Sequence, residues 1–236
     1  LTLDEVLTAR EQGIDLSIVC VIDRSIGADV VIGSSRFATL GSLEGCTIGV
    51  ERTATGAVML DATLRAARLT LADVKIKAVP VEQHESQFAA GAVDVLVTYA
   101  PVSTRLLANG ATQIFSSRNI PGRIIDTLAL GRVALARNHA AVSALVDAHF
   151  AARQAWLAEP ARHAPALAAR LRLAAAAVPA AFGGLEFPER SLNRELFAHD
   201  AAALSDTARA LGQVMVRANL LQSPPELDGL FDGSYV

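Results

Sequence analysis

The chain has 236 residues, long enough for one or two domains with proper cores. Apolar residues make up 52% of it and mean hydropathy is +0.36, yet no uninterrupted apolar run reaches the ~18 residues that a membrane helix needs. A net charge of −3 and a pI near 6.0, with no basic stripe interleaved with aromatics, make nucleic acid a poor candidate partner.

Thr2-Leu3-Asp4-Glu5 is a capping box: a threonine N-cap with a glutamate three residues on. It predicts a helix to about Gln12, stopped by Gly13. Leu16 to Asp23 is a short apolar run rich in β-branched residues, hence a buried strand. Asp29 to Gly33 is a second strand, and Ser34 to Leu40 a polar connection. A strand–helix alternation comes next. Strands are predicted at Thr47–Glu51, Val74–Val79, Val93–Thr98 and Ala111–Ser116, and helices at Gly56–Arg68, Val81–Ala90 and Val102–Ala108. Such alternation indicates βαβ units and a mainly parallel sheet.

Ile124 to Leu130 is a further strand after the turn Ile120-Pro121-Gly122. From Asn138 onward the pattern is helical. Asn138 is a candidate cap for a long helix to about Leu157, and Pro160, Pro165, Pro179 and Pro188 divide the next stretch into shorter helices. A final helix runs over Ser205–Leu221, with Leu204, Ala208, Leu211 and Met215 on one face, and Pro224-Pro225 ends it. The strand at 124–130 needs sheet neighbours and the early strands need cover. The economical arrangement is one lobe from 1–33 plus 124–236 and a second from 40–118, with crossovers at 34–39 and 119–123.

Several phrases, in order, resemble the periplasmic binding proteins of nitrate/sulfonate/taurine importers, which are related to thiamine-precursor binding proteins. They are Thr2-Leu3-Asp4-Glu5 with Gly13, Ile18-Val19-Cys20-Val21-Ile22-Asp23, Ser25-x-Gly27-Ala28-Asp29, and Leu43-x-Gly45-x-x-Ile48-Gly49-Val50-Glu51. Gly91-x-Val93-Asp94, Ile125-Asp126-x-Leu128 and Leu220-Leu221-x-x-Pro224-Pro225-x-Leu227 continue the match along essentially the whole chain. The resemblance implies an α/β, type 2 periplasmic-binding-protein fold: two lobes with mainly parallel sheets and a hinge. It further implies the binding component of an ABC importer, outside the cytoplasmic membrane (periplasmic or secreted). Such a protein is expected to act as a monomer, to need no cofactor, to capture a small anionic solute between its lobes and to dock on a membrane permease. The family pattern carries a strand, a helix and a second strand ahead of the Thr2 helix that this sequence does not contain; the sequence is either a piece of a longer protein or a divergent form, and only in the second case would an unprotected sheet edge be a liability.

Strand ends and helix starts supply the candidate ligand-binding residues. In Glu51-Arg52-Thr53-Ala54-Thr55-Gly56, Thr53 or Thr55 caps a helix whose free N–H groups and dipole attract an anion. Gly56 lets a ligand approach the backbone, and Arg52 offers a charge-assisted bond. An ordinary helix cap and a solvated arginine are the bland alternatives. Tyr99 lies at the C-terminal end of a strand, where open α/β sheets bind ligands. Family members often carry an acid between this aromatic and the proline; here it is Ala100, which suits an anion better than a cationic amine. Core packing is the other reading of Tyr99. Ser25 and Gly27 either donate into the cleft or form a polar turn. Asp126, a charge inside a strand, needs a specific partner, in the cleft or at a hinge.

Nothing points to catalysis or metal. No GxSxG, P-loop or clustered Cys/His/Asp set occurs, and the five histidines are dispersed. Cys20 is expected to be a buried thiol, and a bond between Cys20 and Cys46 stays open. A sensor or effector domain of the same fold is the second reading, and a pyrimidine-precursor binding protein or enzyme the third.

Overall fold

The computed structural model describes all 236 residues. The first half contains α1 (Leu3–Glu11), β1 (Leu16–Ser25), β2 (Asp29–Gly33), β3 (Thr47–Val50), α2 (Ala54–Ala67), β4 (Lys75–Ala78), α3 (His84–Ala89), β5 (Val95–Tyr99), α4 (Val102–Ala108) and β6 (Thr112–Ser116). The second half contains β7 (Ile125–Gly131), α5 (Arg132–Arg137), α6 (His139–Ala158), α7 (Pro160–Leu171), α8 (Val178–Ala181), β8 (Leu185–Glu186) and α9 (Arg190–Arg217). No helix is long and apolar enough to cross a membrane.

The chain divides into two compact units. Unit 1 comprises Leu1–Arg24, Gly122–Ala166 and Glu186–Val236; unit 2 comprises Ser25–Pro121 and Leu167–Leu185. In unit 1, Thr2 caps α1 as its sequence requires: its hydroxyl accepts from Glu5 N–H, and the Glu5 carboxylate accepts from Thr2 N–H (2.9 Å). β1 pairs antiparallel with β7 in a three-stranded sheet of order β7-β1-β8. Val19, Cys20, Leu135, Val142, Val146 and Tyr235 form a core beneath it. Asn138 precedes α6, but its side chain does not cap it; the amide donates back to Ala134 O (3.0 Å). Pro165 does not break its segment either, since it lies inside α7. The final helix begins earlier than expected, at Arg190, and is interrupted at Ala198–Ala201, where His199, Asp200 and Ala201 take left-handed φ values. Pro225 packs on it at Gly212, where a β-carbon would come within 2.3 Å of the proline ring.

Unit 2 is built on a five-stranded sheet of order β4-β3-β5-β2-β6. β3 pairs parallel with β4 and β5, while β2 pairs antiparallel with β5 and β6. Four strands therefore run one way and β2 the other. Val30, Ile32, Val79, Val93, Leu96, Val102 and Leu106 form the core under α3 and α4. The chain's two lysines, Lys75 and Lys77, both lie on edge strand β4. Charge at a sheet edge discourages pairing with another chain, which gives these lysines a physical role that composition alone did not suggest.

The partition differs from expectation at two places. The sequence pattern puts residues 29–33 in the N-terminal lobe, but β2 lies inside the second sheet with neighbours on both sides and every residue buried. The first crossing therefore comes after Arg24 and not at the 34–39 connection. Leu167–Leu185 also groups with unit 2, away from the C-terminal helices. Gly184 explains the attachment. Ile26 N–H donates to Gly184 O (2.8 Å), and a β-carbon on Gly184 would fall 2.4 Å from Ala28 N.

Candidate functional site

The direction of the strands in unit 2 decides which loops meet. β3, β5 and β6 end at Val50, Tyr99 and Ser116, and antiparallel β2 begins at Asp29, opposite Tyr99. One edge of the sheet thus collects the loops 26–28, 51–53, 100–101 and 117–119. Seven of the eight candidate residues, Ser25, Gly27, Arg52, Thr53, Thr55, Gly56 and Tyr99, belong to this unit, at or beside these loops.

Thr53 is the N-cap of α2. Its hydroxyl accepts from Gly56 N–H (3.1 Å). Thr55 lies half-buried in the first turn. Gly56 has a different role from the one its sequence suggested. It is buried, and a β-carbon there would meet Glu51 O at 2.7 Å and Val50 Cγ2 at 2.8 Å. The glycine lets α2 start hard against the end of β3, and its N–H is taken by Thr53. Arg52 is exposed on the same loop and makes no ion pair.

Tyr99 is 37% exposed, so it is not core packing. Its hydroxyl lies 3.4 Å from Glu51 Oε2, and Glu51 Oε1 accepts from Val81 N–H (3.3 Å). Partial burial, then the Glu51 carboxylate, with smaller contributions from Asp29 and Glu82, pushes the phenol up to about 12, so it stays a donor. Ala100 brings no acid, but Glu51, just past the end of β3, sets a carboxylate beside the Tyr99 hydroxyl. The edge carries both signs, acidic around Tyr99 and basic at Arg52 and Arg118.

Ser25 is buried. Its hydroxyl accepts from Asp29 N–H (3.1 Å) and lies 2.7 Å from the hydroxyl of Ser117, which in turn accepts from Gly27 N–H (2.7 Å). Ser25 thus fastens the turn that carries Gly27 to the end of β6. Glu51, Ser117 and Arg118 were not singled out from sequence. The signal for the last two was present only as a polar turn before Ile120-Pro121-Gly122.

Asp126 lies in unit 1, apart from the other seven by fold unit. It is half-buried on β7, in register with Asp23 and bridged to Thr2. Burial raises its pKa, Glu5 and Asp4 add to the rise, and the terminal amine opposes it. Both cysteines are buried and free, and burial pushes Cys20 up to about 12 and Cys46 to about 11. His84 is fully buried on α3, with Nδ1 3.0 Å from Thr98 Oγ1 and Nε2 3.1 Å from Val79 O. No group of three or more His, Cys, Asp or Glu side chains is placed to hold a metal ion.

Residues 8–172 match the model of the NMT1-like family. The chain belongs to the NMT1-like family. None of the curated proteins matches this NMT1-like sequence. Among solved structures, it is similar to the periplasmic aliphatic sulphonate binding protein SsuA from Escherichia coli, with a TM-score of 0.82 at 15% identity, over 99% of this chain and 75% of that one. The alkanesulfonate-binding protein SsuA from Xanthomonas axonopodis pv. citri, bound to MOPS, gives 0.76 at 16% identity, over 98% and 78%. The desulfurization enzyme DSZB gives 0.69 at 19% identity, over 99% and 81%. At such identities the likeness establishes the fold, the type 2 periplasmic-binding-protein architecture, and leaves the chemistry to the residues.

Proposed function

We propose that this NMT1-like chain is the solute-binding component of an ABC importer, working outside the cytoplasmic membrane with a membrane permease and no cofactor. Its solute is a small anionic organic molecule of the sulfonate or taurine kind, or nitrate. The observation that carries the reading is the convergence of an N-capped helix start, an exposed protonated phenol and two exposed arginines at one strand edge of unit 2. Exposed donors on rigid elements bind a solute at little reorganisation cost. Glu51 and Asp29 flank Tyr99, so the anionic group belongs at the arginine-bearing loops and the remainder of the solute toward the ring. Capture by closure of the two units on the ligand completes the proposal.

An enzymatic reading on the same fold, of the pyrimidine-precursor kind or another, is less well supported. A cysteine nucleophile requires a thiolate, and burial raises both thiols well above neutrality. A sensor domain would use the same site, and full-length gene context separates it from a receptor.

A thermal-shift screen in Tris buffer against ethanesulfonate, taurine, nitrate and a thiamine-type pyrimidine tests the reading. A solute at about 100 times its Kd stabilises the folded chain by about 2.7 kcal/mol, and at least one of the anions is expected to do so. No shift with any anion at millimolar concentration would contradict it.

A further inference from the structure

We infer that Arg118 is the residue that pairs with the anionic group of the solute, held in place by the absence of a side chain at Gly27. The inference rests on the solute-binding reading above and adds the residue that gives this edge its preference for negative charge.

Three observations support it. First, Arg118 projects from a fixed turn. Ser117, fully buried, holds Ser25 at 2.7 Å and the N–H of Gly27 at 2.7 Å, while Asn119 Oδ1 accepts from Ser116 N–H (3.2 Å) and Ile26 N–H is bonded to Gly184 O (2.8 Å). The two turns are locked to each other by backbone and buried hydroxyl bonds. Second, the arginine stem lies across Gly27. A β-carbon on that glycine would stand 2.8 Å from Nε, 3.4 Å from Cγ and 3.5 Å from Cδ of Arg118. Gly27 also has φ +127, a conformation that side chains rarely adopt. Conformation and space therefore both require glycine where the arginine rests. Third, Arg118 is exposed, so its guanidinium is open to a solute.

The position fits the task. Arg118 lies just past the end of β6, on the edge that holds Tyr99 at the end of β5, with only β2 between these strands. Two strand spacings amount to about 10 Å, a span that a short organic anion and a flexible arginine bridge. The planar guanidinium presents paired N–H donors that match the oxygens of a sulfonate or carboxylate. A stem already resting on Gly27 has less rotamer freedom to lose on binding than a freely solvated arginine.

Calorimetric titration of ethanesulfonate into the full chain tests the inference, with Arg118→Gln, Arg118→Lys, Arg52→Gln and Gly27→Ala as variants and circular dichroism as the check on folding. Arg118→Gln is expected to weaken binding roughly tenfold to a hundredfold. Arg118→Lys should fall between it and the parent, because an ammonium keeps the charge and loses the fork. Folded Gly27→Ala should also bind more weakly, since its methyl group displaces Arg118 without touching the charge. Binding by Arg118→Gln within twofold of the parent overturns the inference and leaves the receptor reading intact, the more clearly if Arg52→Gln alone is impaired. A parent protein that binds no ethanesulfonate while binding a neutral or cationic solute overturns both.

Discussion

At the scale of single residues, His84 shows how a satisfied core position differs from a ligand. The Val79 carbonyl only accepts, so Nε2 carries the proton and Nδ1 accepts from the Thr98 hydroxyl. Burial lowers its pKa below the ordinary 6.5, outweighing the Val79 bond and the attraction of Glu51 and Glu82. The unfolded chain then takes up a proton that the folded chain resists, so stability is complete above about pH 6.5 and is lost as pH falls below it. Urea unfolding at pH 7.5 and 5.5 should show this loss, and His84→Gln should flatten the difference. An unchanged pH dependence in the variant would mean that other groups are responsible. Sequence spacing offered no reason to read His84 as a metal ligand, but could not place it next to Thr98, because that contact depends on how α3 packs on β5. The same limit applies to Ser25. Its residue type suggested a donor, and only the fold reveals that Ser117 and Asp29 occupy it.

At the scale of elements, the strand–helix alternation from Thr47 to Ser116 was legible because β3 and β5 are short apolar runs, the half-polar β4 and β6 are spaced from them by helical stretches, and each helix starts at a polar cap or proline. The sheet order was not, since β2 is as apolar as any strand and nothing local says which sheet it joins. The cover over β1 was equally hidden. Asn193 of α9 is fully buried and pairs with Val21 as a neighbouring strand would, accepting from Val21 N–H (2.8 Å) and donating to Val21 O (3.2 Å). Asn193→Ala strands both backbone groups inside unit 1 and should cost about 1–3 kcal/mol. Chemical denaturation checks this; a loss under about 0.5 kcal/mol would mean that water replaces the amide. Gly56 belongs to the same class. Its sequence signal is ambiguous between ligand approach and an ordinary cap, and a β-carbon there would stand 2.7 Å from Glu51 O, so the space beside it is taken by the end of β3.

For the whole molecule, the collinear phrases from Thr2 to Leu227 identified the fold through their order, though no single phrase was specific, and the NMT1-like match over residues 8–172 agrees with them. The division into two units was legible in outline; its boundaries moved because β2 and Leu167–Leu185 are held by unit 2. In the proposed receptor, capture depends on one edge of one sheet, where Thr53, Tyr99, Arg52 and Arg118 gather. Amide NMR of the full chain during titration with ethanesulfonate tests that dependence most directly. Shifts concentrated at Gly27, Arg52 to Ala54, Tyr99 and Arg118 are expected. Shifts confined to residues away from this edge, or none at saturating sulfonate, would contradict it.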